Sequence, residues 1–97
     1  MRSLARSLVL HEGITTTIAK AKELRPMIER LVTTSKENTI ASRRTVKARI
    51  NSAEAMEKLH DTLAPRYKER NGGYTRIVKL GRIGTRVGEQ ARIEFVK

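Results

Sequence analysis

The sequence predicts a small α+β domain in two layers, with element order α-β-α-α-α-β-β and one three-stranded sheet covered by helices. Three observations carry that reading. Residues 19–35 place Ala21, Leu24, Ile28, Leu31, Val32 and Ser35 on one side of a helix. The β-branched run Ile14–Ile18 and the alternation within Ala91–Lys97 have the two-residue period of strands. The length of 97 residues, with no repeat, linker or low-complexity tract, allows one domain over 1–97.

The first helix covers residues 2–11, with Leu4, Ala5, Leu8 and Val9 inward and Arg2 and Arg6 outward. Gly13 then supplies the left-handed residue that ends a helix. The first strand follows, Ile14, Thr16 and Ile18 sharing a face. In the second helix Lys20, Lys22, Arg25 and Arg30 oppose the apolar side, and Pro26 predicts a kink or a start of the regular helix close to it. Asn38 and Thr39 are caps for a third helix through about Ile50. Asn51 with Glu54 reads as the cap of a fourth, with Met56, Leu59 and Leu63 inward and Pro65 at its end or at a bend. Asn71-Gly72-Gly73 is a turn. Tyr74–Leu80 and Ala91–Lys97 are strands joined by a long basic hairpin loop over about 81–90.

The charge balance constrains the partner. Lys and Arg number 21 against 10 Asp and Glu, a formal charge of +11. Such an excess costs self-repulsion in the free protein and is compensated by a polyanion. There is no cysteine, which excludes disulfides and thiolate metal sites and permits a cytosolic setting. No apolar run reaches the roughly 18 residues that span a bilayer. Tyr67, Tyr74 and Phe95 are the only aromatics, so the core is small and aliphatic.

The stretch Arg66–Arg76, R-Y-K-E-R-N-G-G-Y-T-R, concentrates the functional signal. Arginine forks pair with phosphate oxygens, tyrosine rings stack on unpaired bases, and glycines let backbone approach a ligand. Arg66, Tyr67, Lys68, Arg70, Asn71, Gly72, Gly73, Tyr74, Thr75, Arg76 and the nearby Lys79 are therefore candidate RNA contacts, and in a chain with three aromatics Tyr67 and Tyr74 suit the core as well as they suit stacking. Arg43, Arg44 and Lys47 sit at helical spacing and form a second basic patch. Lys20, Lys22 and Arg25 form a third, with Glu23 and Glu29 near enough for pairing along the helix; Arg2 joins them at the N-terminus. Gly81-Arg82-Ile83-Gly84 matches a G-x-x-G backbone clamp, but that clamp lies between helices and this one lies between strands. It reads as a basic hairpin tip.

Three other classes fare worse. An enzyme lacks support: His11 and His60 stand apart, and no nucleophile elbow, phosphate loop, metalloprotease motif or carboxylate pair is present. Nothing in the sequence calls for a cofactor, a metal or a small-molecule substrate. A DNA-binding helix pair over residues 39–64 is the alternative, yet its second helix is acidic, with Glu54, Glu57 and Asp61. A membrane-surface protein needs an aromatic apolar face that is missing here.

The sequence resembles the bacterial large-subunit ribosomal protein L17 family. The matching pieces are H-E-G-I-T-T-T-I-A-K-A-K-E-L-R-P (His11–Pro26), Arg43-Arg44, A-P-R-Y-K-E-R-N-G-G-Y-T-R-I-V-K-L-G (Ala64–Gly81) and the terminal R-I-E-F-V. The resemblance implies a structural, non-catalytic protein of the cytoplasmic ribosome. It implies binding to large-subunit rRNA near the rim of the polypeptide exit tunnel, with neighbouring large-subunit proteins as further partners. Members of the family usually begin with a further basic arm of about twenty residues before the first helix, and this sequence starts almost at that helix.

Overall fold

In a computed structural model, which describes residues 1–85 and 88–97, the elements follow the expected order. They are α1 (Arg2–His11), β1 (Gly13–Thr17), α2 (Ile18–Ser35), α3 (Ile40–Ile50), α4 (Ala53–Lys58), β2 (Thr75–Gly81) and β3 (Gln90–Phe95). The helix begun by α4 continues through a π-helical turn, Leu59–Leu63, into a closing turn, Ala64–Arg66. The sheet is antiparallel with β3 in the centre, in the order β1-β3-β2.

The core forms where the periods predict. Ala21, Leu24, Ile28, Leu31, Val32 and Ser35 of α2 are all buried, as are Ala5, Leu8 and Val9 of α1. Ala91, Ile93 and Phe95 give β3 its buried face, while Arg92 is exposed on the opposite one. Val46, Ile50, Leu59 and Leu63 complete the helical layer. Met56 is only partly buried and packs at the edge of this core.

Several boundaries differ from the sequence reading, each for a local reason. Glu12, not Gly13, takes the left-handed position after α1, at φ 64°, and Gly13 already belongs to β1. The side chain of Arg92 lies over Gly13, where a Cβ would stand 2.2 Å from its Nη2. Ile18 opens α2 instead of ending the strand, because the Thr17 hydroxyl accepts from the Lys20 N–H at 3.3 Å and caps the helix. Pro26 neither starts nor stops α2; it sits on the exposed side, where the lost hydrogen bond costs least. Thr39 and Ser42 cap α3 reciprocally, both bonds at 3.0 Å. Asn51 is the left-handed end of α3 at φ 53°, and Ser52 is the cap of α4, accepting from the Ala55 N–H at 3.1 Å. The π turn comes just before Pro65, where the chain must already shed a hydrogen bond. Along edge strand β2 the register slips between Lys79 and Gly81, a bulge that leaves Leu80 without a partner in the ladder.

Candidate nucleic-acid interface

The segment Arg66–Arg76 folds back on its own protein more than its composition suggests. Tyr67 is 2% exposed and Tyr74 1%. Their rings are tilted against one another at 5.2 Å between centroids, and Tyr67 also stacks near Phe95 at 6.3 Å. Of the two roles open to each tyrosine, stacking platform or core, the rings take the core one, and the three aromatics of the chain join in one cluster. The Tyr67 hydroxyl donates to the Val96 carbonyl, and burial pushes its pKa up. Burial acts the same way on Tyr74, but bonds from Thr33, the Gly72 backbone and Lys36 outweigh it, and its pKa falls.

The cations of the segment are partly occupied too. Arg66 meets the Glu12 carboxylate at 2.5 Å, and Lys58 meets the same carboxylate at 3.3 Å. The Arg66 bond holds Glu12 below the usual carboxylate range, while Glu12 raises Arg66. Arg70 donates to the Gly73 carbonyl at 3.2 Å, and its own carbonyl accepts from Lys36. Arg66 and Arg70 both lie about 6 Å from the Tyr67 ring centre, flanking the buried aromatic (5.9 and 6.0 Å). Arg76 pairs with Glu94 at 3.1 Å but stays 63% exposed. Lys68 and Lys79 are exposed and have no partner within the described chain. Thr75, also expected at the surface, is 2% exposed and is corrected to a structural residue. Glu29 accepts from its N–H and its hydroxyl, both at 2.9 Å, and from the Tyr74 N–H at 3.3 Å. Arg25 donates to the Thr75 carbonyl at 3.2 Å. The pairing expected along α2 is thus replaced by two α2 side chains pinning the start of β2.

The patch on α3 divides. Arg43 is paired at the surface with Asp61 at 3.0 Å and with the side-chain amide oxygen of Asn38 at 3.1 Å. Arg44 and Lys47 are exposed and unpartnered among the described residues, as are Arg2, Lys20 and Lys22. Arg30 and Arg49 are in the same condition, and the sequence reading did not include either as a contact. Arg30 was legible on the polar face of α2; Arg49 carried no separate signal.

These two arginines meet at a cleft of about 330 Å³ lined by Glu29, Arg30, Thr33, Thr34, Arg49 and Gly72. It joins α2, the end of α3 and the Asn71-Gly72-Gly73 turn. Gly72 stands at φ 82° and Gly73 at φ 65°, which other residues adopt only with strain, so the turn keeps its backbone bare. The Glu29 carboxylate is already committed to Tyr74 and Thr75. What the cleft offers a ligand is two guanidinium groups, threonine hydroxyls and exposed turn backbone, a set suited to phosphate oxygens. Arg82 extends the basic surface past β2; Arg86, also in the expected hairpin loop, lies outside the described residues.

Among the described residues no three His, Cys, Asp or Glu side chains are grouped to hold a metal ion. No helix among them is long and apolar enough to cross a membrane.

A family model described as Ribosomal protein L17 matches residues 1–96. Relatives named large ribosomal subunit protein bL17 agree along almost the whole chain. The one from Sphingopyxis alaskensis is 52% identical over 95 residues, covering 98% of this chain and 68% of the relative. Those from Rickettsia bellii and Endomicrobium trichonymphae are 52% and 48% identical over 97 residues, all of this chain, covering 66% and 80% of the relative. The chain thus spans about two thirds of the length of the first two. With the family's pattern matched from α1 to β3, the chain belongs to the ribosomal protein L17 family.

Proposed function

We infer that this chain is a structural constituent of the large ribosomal subunit, working in the cytoplasmic ribosome, and that it binds large-subunit rRNA near the rim of the polypeptide exit tunnel. Family membership supports the placement in the subunit. The observation that carries RNA binding is the set of exposed cations left without partners inside the protein. Lys20, Lys22 and Arg30 lie on α2, Arg44, Lys47 and Arg49 on α3, Lys68 beyond α4, and Lys79 on β2. Glu12, Asp61 and Glu94 pair with other arginines, and the surplus of cations left bare keeps a positive surface for a polyanion. Arg2, Arg70, Asn71, Gly72, Gly73 and Arg76 border that surface and belong to the proposed contacts, with neighbouring subunit proteins as further partners. Binding of this kind reads the shape of folded RNA through its phosphates, and it calls for no catalysis.

The test has two arms. Tagged protein expressed in bacterial cells is sedimented from lysate through a sucrose gradient and is expected to travel with the large subunit. Purified protein is titrated with large-subunit rRNA across salt concentrations, where log affinity should fall linearly with log salt. Sedimentation with free protein only, or a flat salt response, would overturn the reading.

A further inference from the structure

A second cavity, of about 260 Å³, opens on the far side of Lys36, between the C-terminal end of α2 and the π turn that follows α4. Its buried wall includes His60 and Ala64; Lys36, Asn38, Pro65 and Lys68 surround the mouth. The size is a little below the roughly 300–1,000 Å³ of drug-sized sites and suits a single planar base.

The chemistry of the wall narrows what that base is. Both His60 nitrogens are engaged, Nε2 with the Ser42 hydroxyl at 3.1 Å and Nδ1 with the Met56 carbonyl at 3.0 Å. The imidazole therefore has no spare polar atom for a ligand. The Ala64 methyl and the Pro65 ring add apolar surface. At the mouth, the Asn38 oxygen is taken by Arg43, with bonds of 3.3 and 3.1 Å, which leaves its amide N–H groups as unused donors. Lys36 donates to the Arg70 carbonyl and to the Tyr74 hydroxyl, and one ammonium proton remains. Lys68 has no partner in the described chain. The side chains of Lys36, Asn38 and Lys68 at the mouth thus supply donors, while the buried Ser35 hydroxyl deeper in the lining already donates to the Leu31 carbonyl. On the edge that lines the major groove of a duplex, guanine presents O6 and N7 and uracil presents O4, all acceptors, whereas adenine and cytosine place an amino donor there.

We propose that this cavity takes one unpaired uracil or guanine of the bound RNA. The base rests on Pro65 and Ala64, the acceptors of its major-groove edge meet the Asn38 amide and the Lys36 ammonium, and Lys68 neutralises the flanking phosphate. The proposal rests on the reading that the chain binds rRNA and names what one of its sites recognises.

The test uses two charge-neutral variants bound to large-subunit rRNA. Ala64→Leu fills the cavity. Asn38→Gly removes the amide donors at an exposed position with φ 47°, which glycine accepts, and Arg43 keeps Asp61. Carbodiimide modification of uracil N3 and guanine N1 maps the bases, and titration across salt gives affinity and salt slope. The wild type should protect a uracil or guanine that becomes reactive in both variants while the rest of the footprint stays. Each variant should bind about tenfold more weakly, the loss of one hydrogen-bonded base contact, with an unchanged salt slope. Variants with wild-type affinity and protection overturn the proposal. So does a loss of affinity in which the salt slope drops by about one, because that would put a phosphate in the cavity. If Ala64→Leu fails to fold by circular dichroism, Asn38→Gly decides alone. Absence of any rRNA binding by the wild type would instead defeat the broader reading of function.

Discussion

The segment Arg66–Arg76 and the face formed by α2 and α3 are both rich in cations, and they use them differently. In the segment, Arg66 is bound to Glu12, Arg70 to the Gly73 carbonyl and Arg76 to Glu94, while the two tyrosines are sunk into the core. On α2 and α3, Lys20, Lys22, Arg30, Arg44, Lys47 and Arg49 point outward with nothing in the described chain to answer them. Charge density along a sequence therefore measures two things at once. Some cations hold the fold together, and others are left over for a partner. Only the second group releases counterions in full when RNA arrives.

The largest expected effect separates the two groups. Replacing Arg30, Arg44, Lys47 and Arg49 together by Gln should make the slope of log affinity against log salt shallower by about 3. At 0.1 M salt that corresponds to a loss of several hundredfold, about 4 kcal/mol. Replacing Arg66, Arg70 and Arg76 by Gln should reduce the slope less. Equal losses from the two sets would erase the distinction drawn here. Next in size, Tyr67→Ala should cost about 3 kcal/mol of folding stability, since it empties the centre of the aromatic cluster. Urea denaturation reads this directly; an unchanged midpoint with lost RNA affinity would return Tyr67 to the surface role. Tyr74→Phe is milder, about 1 kcal/mol, because only the hydroxyl bonds to Thr33 and Lys36 disappear.

The smallest effect concerns Glu12, and it depends on pH. Its carboxyl is held below the ordinary range, chiefly by the Arg66 bond. The pair's contribution is therefore fully present above the unfolded carboxylate pKa of about 4.3 and fades as pH falls through the lowered folded value. With the Glu12 side chain 36% exposed, solvent screens the pair and Glu12→Gln should cost less than about 1 kcal/mol at neutral pH. That difference should vanish in acid. A gap between wild type and variant that stays constant in denaturation series from pH 7 into acid would mean that the ion pair is not its source.

The layers of the fold were legible because α2 and β3 carry clean periods, and every apolar position assigned to the buried face of α2 is buried. Boundaries were less legible where two neighbours compete for one task. Asn51 and Ser52 both suit a cap, and the left-handed end of α3 claims the first, leaving the second for α4. The π turn before Pro65 had no local signature. For the interface, the glycine turn and the exposed lysines could be read from composition. The engagement of Arg25, Arg43, Arg66 and Thr75 within the protein could not, since each depends on a partner 18 to 54 residues away in sequence. Arg30 and Arg49 come together for the same kind of reason: α2 and α3 must pack before the cleft exists.

The central place of β3 in the sheet sets a timetable. β1 pairs with β3 alone, so Thr17 waits for Gln90 before its strand has any neighbour. At the usual 5–20 residues per second of synthesis, that is a delay of about 4–15 s in which α1, β1 and the bare cations of α2 are already made. Both ladders of the sheet form on the last strand of the three. Until that moment the nascent chain is an unfinished polycation, and the cell must keep it from the wrong RNA during just that interval.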